Sequence, residues 1–291
     1  MSPGPQRRRP DPRLYQIAVL SALLLYGLLE LDFEIRPRNV AAILVSAQLA
    51  QWTLTRLFRL PRFDPRSALI SSLSLCLLLR THSLALAALA AALTIASKFL
   101  IRAPSRRTGG KHVFNPANFG LVAMMLLADG AWVSPGQWGS AAFAGFLVAC
   151  LGGLVVHRAE RSDVTWAFVI AYAALLFGRA AWLGDPLAIP LHQLENGAFL
   201  IFAFFMISDP KTTPDSRPGR ILYAAVVASV AVAIQFGLYQ PNALIWALAA
   251  CAPLVPLVDR LLPGARYRWV RPAAEPPETP RLPAPLSTEA A

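Results

Sequence analysis

From Leu14 to Val258 the sequence is a train of apolar runs cut by short connections rich in arginine and proline. The first run, Leu14–Leu31, approaches the roughly 20 residues that a continuous helix needs to cross a bilayer. A chain of 291 residues built this way is 56% hydrophobic and only 15% charged, against about 25% charged in soluble domains. That composition excludes an ordinary soluble domain and an intrinsically disordered chain alike. The three cysteines, Cys76, Cys150 and Cys251, lie far apart in apolar runs, so they form neither a disulfide framework nor a CxxC metal site. The expected partner is the lipid bilayer.

The expected fold is all-α, a polytopic membrane protein of about ten transmembrane segments. After the first run come segments at about 39–57, 66–80, 83–101, 116–128, 139–157, 164–178, 194–208, 221–238 and 242–258. Residues 1–13 read as a disordered basic tail, 14–260 as the transmembrane domain and 261–291 as a disordered, proline-rich tail. The first run follows a basic stretch, as a signal peptide does. It ends in Glu30, Asp32 and Glu34 rather than at small residues, which favours an uncleaved helix. Of the 27 Lys and Arg, only Arg36, Arg38, Arg80 and Arg179 fall in the connections opposite to those that hold the rest. By the positive-inside bias, both termini are expected in the cytoplasm, with the chain in a bacterial inner membrane. The net charge of +11 thus reads as topology, and no nucleic-acid partner is expected.

Several segments, such as 116–128, are short for a continuous span. Either their ends extend further, or they are half-helices shielded by protein. Asn115-Pro116-Ala117-Asn118 and Gln240-Pro241-Asn242-Ala243 both open apolar segments, each late in its half of the chain. The halves, about 14–128 and 139–258, are therefore expected as two inverted five-helix repeats. Asn118 and Asn242 read either as helix caps or as groups facing one shared cavity. The basic connection Arg106–Pro116 lacks the GxxxxGK spacing of a phosphate loop. Asp209-Pro210-Lys211-Thr212-Thr213-Pro214 forms a fixed turn that either packs on the bundle or rims a ligand. There is no HExxH, GxSxG or glycine-rich nucleotide fingerprint, no metal-ligand spacing among the four histidines, and hence no expected catalytic residue or metal site.

The motifs Asn115–Val122, Ser208–Pro214 and Gly219-Arg220, in that order, resemble those of two homologous membrane proteins, NqrB of the sodium-translocating NADH:quinone reductase and RnfD of the Rnf electron-transport complex. The resemblance covers roughly residues 63–260. Tyr223 matches that pattern, whereas Ala224 stands where it has glycine. The resemblance implies ten helices in two inverted repeats, electron transport coupled to ion movement, flavin, and other membrane or redox subunits as partners. The family carries covalent FMN on a threonine after the NPA helix. The corresponding stretch here, Asp129–Ser140, contains no threonine, so covalent FMN is not expected. Non-covalent FMN or riboflavin is expected instead. The candidate cofactor-binding residues are Asn115, Asn118, Asp209, Lys211, Thr212, Thr213, Arg220 and Asn242. The alternative is a transporter or channel for a small solute or natural product, without a redox cofactor.

Overall fold

The structure is a computed structural model that describes residues 11–30, 35–103, 110–134, 151–157 and 159–267. Both tails beyond these residues, most of the 139–157 segment and Arg106–Arg107 of the basic connection lie outside them. The first half holds α1 (Pro12–Leu29), α2 (Pro37–Leu57), α3 (Pro65–Leu78), β1 (Leu79–Thr81), α4 (Leu84–Leu100), β2 (Arg102–Ala103), β3 (Lys111–His112), α5 (Pro116–Leu127) and β4 (Ala131–Val133). After α6 (151–157) come α7 (Ser162–Leu183), α8 (Ala188–Leu194), α9 (Gly197–Ile201), α10 (Arg217–Val232), α11 (Ala243–Cys251) and α12 (Val255–Leu261). Wide, π-type turns at Phe202–Met206 and Ala233–Gly237 extend α9 and α10.

One local rule starts many of these helices. An oxygen-bearing side chain accepts a bond from an early backbone N–H, and a proline stands in the first turn. Asp11-Pro12, Asp64-Pro65 and Asn115-Pro116 follow it, as does Ser216 with Pro218. The cap occupies a donor that the helix leaves orphaned, and proline has no N–H to waste there. Gly184 ends α7 with φ 74°, a left-handed cap that costs glycine little.

Among the described residues, four helical stretches are long and apolar enough to cross a bilayer: Pro12–Leu29, Ser162–Leu183, Arg217–Gly237 and Ala243–Leu261. The expectation of about ten spans in two five-helix repeats is therefore corrected. Four apolar helices, Pro65–Leu78, Leu84–Leu100, Pro116–Leu127 and Gly197–Met206, are shorter than a span. At 1.5 Å per residue, α5 reaches about 18 Å, well under a hydrocarbon core of about 30 Å. Helix α2 has 21 residues but carries Asn39, Gln48, Gln51, Thr53 and Thr55. Apolar runs in the sequence merge caps, turns and strands with helix, so they overstate helix length. The chain is a multi-pass membrane protein whose long spans are accompanied by short, interrupted helices.

Packing explains how short helices persist. Helix α7 lies along α10, α2 along α4, α4 along α5 and α1 along α3. The seams are small residues: Ala87, Ala90 and Ala91 of α4, and Ala224, Ala228 and Ala231 of α10, are all buried. Between lipid-embedded helices, such residues let backbones approach and gain dispersion contacts. Large apolar side chains, among them Leu25, Trp52, Ile170, Trp182 and Tyr239, point outward instead. At the seam of α4 and α5, a Cβ on Gly120 would run into the Thr94 hydroxyl and lie 3.3 Å from the Ala90 carbonyl oxygen. Gly120→Val is expected to lower stability by about 3 kcal/mol, the upper range for overpacking. Thermal unfolding in detergent measures this, with Gly153→Val, a glycine with open space around it, as the control.

Candidate functional site

Two of the motifs meet in space. Asn115 caps α5 by accepting the Asn118 N–H at 3.1 Å, and its Nδ2 reaches the Met206 carbonyl at 3.3 Å and Asp209 Oδ2 at 3.4 Å. Asp209 in turn shapes its own turn. Its Oδ1 accepts the Lys211 N–H at 3.0 Å, and its carbonyl accepts the N–H groups of Thr212 and Thr213, each at 3.1 Å. Both threonine hydroxyls donate to the same carbonyl, and both side chains are buried. Thr212 and Thr213 therefore hold the turn from within.

Above this turn lies a cavity of about 170 Å³. Asn115, Asp209 and Lys211 line it, together with Lys98 of α4 and His112 of β3. Arg13, Asp64, Ser71, Ser74 and Phe205 complete much of the wall. Lys98 is 5% exposed and donates to Gln51 Oε1 at 3.4 Å, with no carboxylate in ion-pair range among the described residues. Asp64 is already engaged by Arg13 at 2.9 Å, and Arg13 also binds Asp11 at 2.7 Å. The wall thus carries three cations against two carboxylates. Burial raises the Asp209 carboxyl above the usual range, against the pull of nearby Lys211 and Lys98. Burial, reinforced by Lys98, Arg102 and Lys211, pushes the His112 imidazole down to about 3, which keeps it neutral.

The other predicted residues sit elsewhere. Arg220 grips Asp163 through three short bonds, 2.6 to 3.0 Å, and donates to the Asp215 carbonyl at 2.8 Å. It belongs to an ionic clasp that joins the first turns of α7 and α10. Lys111 extends the clasp by bridging Asp215 at 3.0 Å and Asp259 at 2.9 Å. Asn118 is buried against α11 and donates to the Ile245 carbonyl at 2.9 Å. Asn242 precedes α11 in a left-handed conformation, φ 59°, and lines a second cavity of about 220 Å³. The starts of α5 and α11 are therefore in contact, yet Asn118 lines neither cavity and Asn242 lines only the second, so the two do not face one shared space. Sequence reading misses Lys98 and His112, because a single lysine ending an apolar run looks like a topology signal. Among the described residues, no three His, Cys, Asp or Glu side chains gather as metal ligands would.

Residues 130–268 match the NQR2, RnfD, RnfE family. The chain is related to this family. The match begins after α5 and takes in the Asp209 turn, Arg220 and α11, just under half of the sequence. Among curated relatives, the D component of the ion-translocating oxidoreductase complex of Psychromonas ingrahamii is 33% identical over 110 residues, covering 37% of this chain and 31% of its own length. The protein of that name in Cellvibrio japonicus is 28% identical over 165 residues, 54% of this chain and 44% of the relative. That of Alcanivorax borkumensis is 35% identical over 118 residues, 39% and 34% respectively. The chain spans less than half the length of these relatives.

Proposed function

We propose that this chain is an inner-membrane subunit of an electron-transport system of the Rnf/Nqr kind, with a flavin held non-covalently in the cavity above the Asp209 turn. Coupling of electron flow to ion movement, partnership with other membrane or redox subunits, and a cytoplasmic position for this basic end and for both termini belong to the same reading. The observation that carries it is the Asn115–Asp209 contact, which draws two distant motifs into one polar pocket.

The polar set suits the pyrimidine edge of a flavin ring. Lys98 offers a buried ammonium as donor. Asn115, whose N–H groups go to Met206 and Asp209, and Ser71 and Ser74, whose hydroxyls donate to the Ser67 and Ile70 carbonyls, offer acceptor oxygens for a ring N–H, while Phe205 supplies a ring face. A bound flavin would supply one- and two-electron redox chemistry. Lys98 would favour negative charge on the ring edge, and Asp209 would hold Asn115 and the turn in place. Covalent attachment is not part of this reading, because no threonine occurs between Asp129 and Ser140.

The test is the visible spectrum of the purified protein before and after acid precipitation. Flavin is expected in the supernatant, and Lys98→Met or Asp209→Asn is expected to reduce it at least tenfold. Flavin in neither fraction, in a folded preparation, would sink the proposal. A solute path is the competing reading, favoured by the short, proline-started α5 and by α11 meeting it inside the bundle. Uptake by flavin-free proteoliposomes would select it.

A further inference from the structure

The second cavity has a different chemistry. Its polar wall is built from five carboxamides, Gln193, Asn196, Gln235, Gln240 and Asn242, and the Tyr172 hydroxyl. Among the described residues, no acidic or basic side chain lines it. The rest of the wall is apolar and partly aromatic. The rings of Tyr172 and Phe199 lie 5.5 Å apart at 21°, and Phe168 backs them, 5.7 Å from Tyr172 and 5.0 Å from Phe202. Tyr172, Phe199 and Phe202 thus bring aromatic surface to the cavity wall.

The carboxamides are set, and several bonding positions remain open. Tyr172 donates to Gln235 Oε1 at 2.6 Å, and Gln235 passes a weaker bond to Gln193 Oε1 at 3.4 Å. Asn196 spends its oxygen on the Ala198 N–H at 2.8 Å. The Oδ1 of Asn242 is buried without a partner among the described residues, and its Nδ2 meets only the Met125 sulfur, at 4.0 Å. A buried carbonyl oxygen left this way loses its hydration without recompense. Asn242 also bears the strain of a left-handed backbone. Two π-type turns, a feature frequent at functional positions, bring Phe202 and Gln235 into the wall. Gln240 and Pro241 at the rim are exposed, so the cavity is open to entry.

Carboxamides donate and accept, so they pair with the N–H and C=O edges of imides and lactams. Stacked rings select a flat body. A wall without a cation or anion gives a charged substituent no compensation for leaving water. We propose that this cavity is a binding site for an uncharged, planar ring compound carrying imide- or lactam-like edges, independent of the flavin cavity at the basic end. Anionic derivatives are excluded by the lack of a counter-charge among the described residues of this wall.

The probe is 1,8-naphthalimide, a fluorescent flat imide, titrated against the full chain in lipid nanodiscs. Its 4-sulfonate serves as the charged comparison, and empty nanodiscs correct for partition into lipid. Saturable binding is expected, at least tenfold weaker for the sulfonate. Gln235→Leu, which cuts the relay, and Ala198→Trp, which fills the cavity, are each expected to weaken it at least tenfold. Asp209→Asn, in the other cavity, is expected to leave it unchanged, so the two sites fail separately. Equal binding of the sulfonate, retention of affinity in both variants of this cavity, or loss in Asp209→Asn would overturn the proposal.

Discussion

Arg220→Ala is expected to lower the free energy of unfolding by about 3–5 kcal/mol, the range for removing one partner of a buried ion pair. The guanidinium binds Asp163 in a forked arrangement and ties down the Asp215 carbonyl, and both charged side chains are at least four-fifths shielded. Without Arg220, Asp163 keeps its charge in a shielded place with its principal partner gone. It stays bonded to the Val164 N–H at 2.8 Å, which offsets only part of the loss. The loss reaches further than one pair. Asp163 starts α7 and Arg220 starts α10, so the clasp sets where this long helix pair begins. Arg220→Lys keeps the charge but not the fork, and should recover under half of the loss. Unfolding in mixed micelles with increasing dodecyl sulfate measures all three proteins. A change below about 1 kcal/mol for Arg220→Ala would show that the pair adds no more than an exposed one.

The second large effect is on pH dependence. His112 in the folded chain titrates near 3, against an ordinary 6.5, because it is buried and lies close to Lys98, Arg102 and Lys211. Between those values the unfolded chain binds a proton at this residue and the folded chain does not. Stability from His112 is therefore complete above about pH 6.5 and falls as the pH drops toward 3. The slope is at most about 1.4 kcal/mol per pH unit. Asp209 works in the opposite sense, since its raised value lets the folded chain hold a proton to higher pH than the unfolded chain. The two are separated by comparing wild type with His112→Gln at each pH. The stability of the variant relative to wild type is expected to rise steadily on acidification below pH 6.5. A flat difference would mean that His112 takes its proton freely in the folded state.

Much of the architecture is legible in the sequence, and the reasons can be named. Asp-Pro and Asn-Pro pairs announce helix starts because the side chain and the missing N–H both act within one turn. Asn115 and Asp209 stand out as candidates from the resemblance and from the prolines that follow them. Their meeting across 94 positions does not, because a hydrogen bond between a helix cap and a distant turn leaves no periodic trace. Span length is misread for the same kind of reason. Leu79–Thr81 pairs with Ala131–Val133 as a short antiparallel ribbon, and its apolar residues are indistinguishable in sequence from the last turn of a helix. Lys98 and Lys211 count alike as basic residues, yet one is buried beside Gln51 and the other rims the turn. Arg220 is a residue of consequence but not a ligand neighbour, because its partner is Asp163, which nothing in the sequence singles out.

The bond from Asn118 to Ile245 has a consequence for traffic through the bundle. It joins α5 to α11 between the two cavities, which share no lining residue. A molecule moving from one cavity to the other by way of this contact would have to pry those helices apart, so the bond acts as a latch on that route.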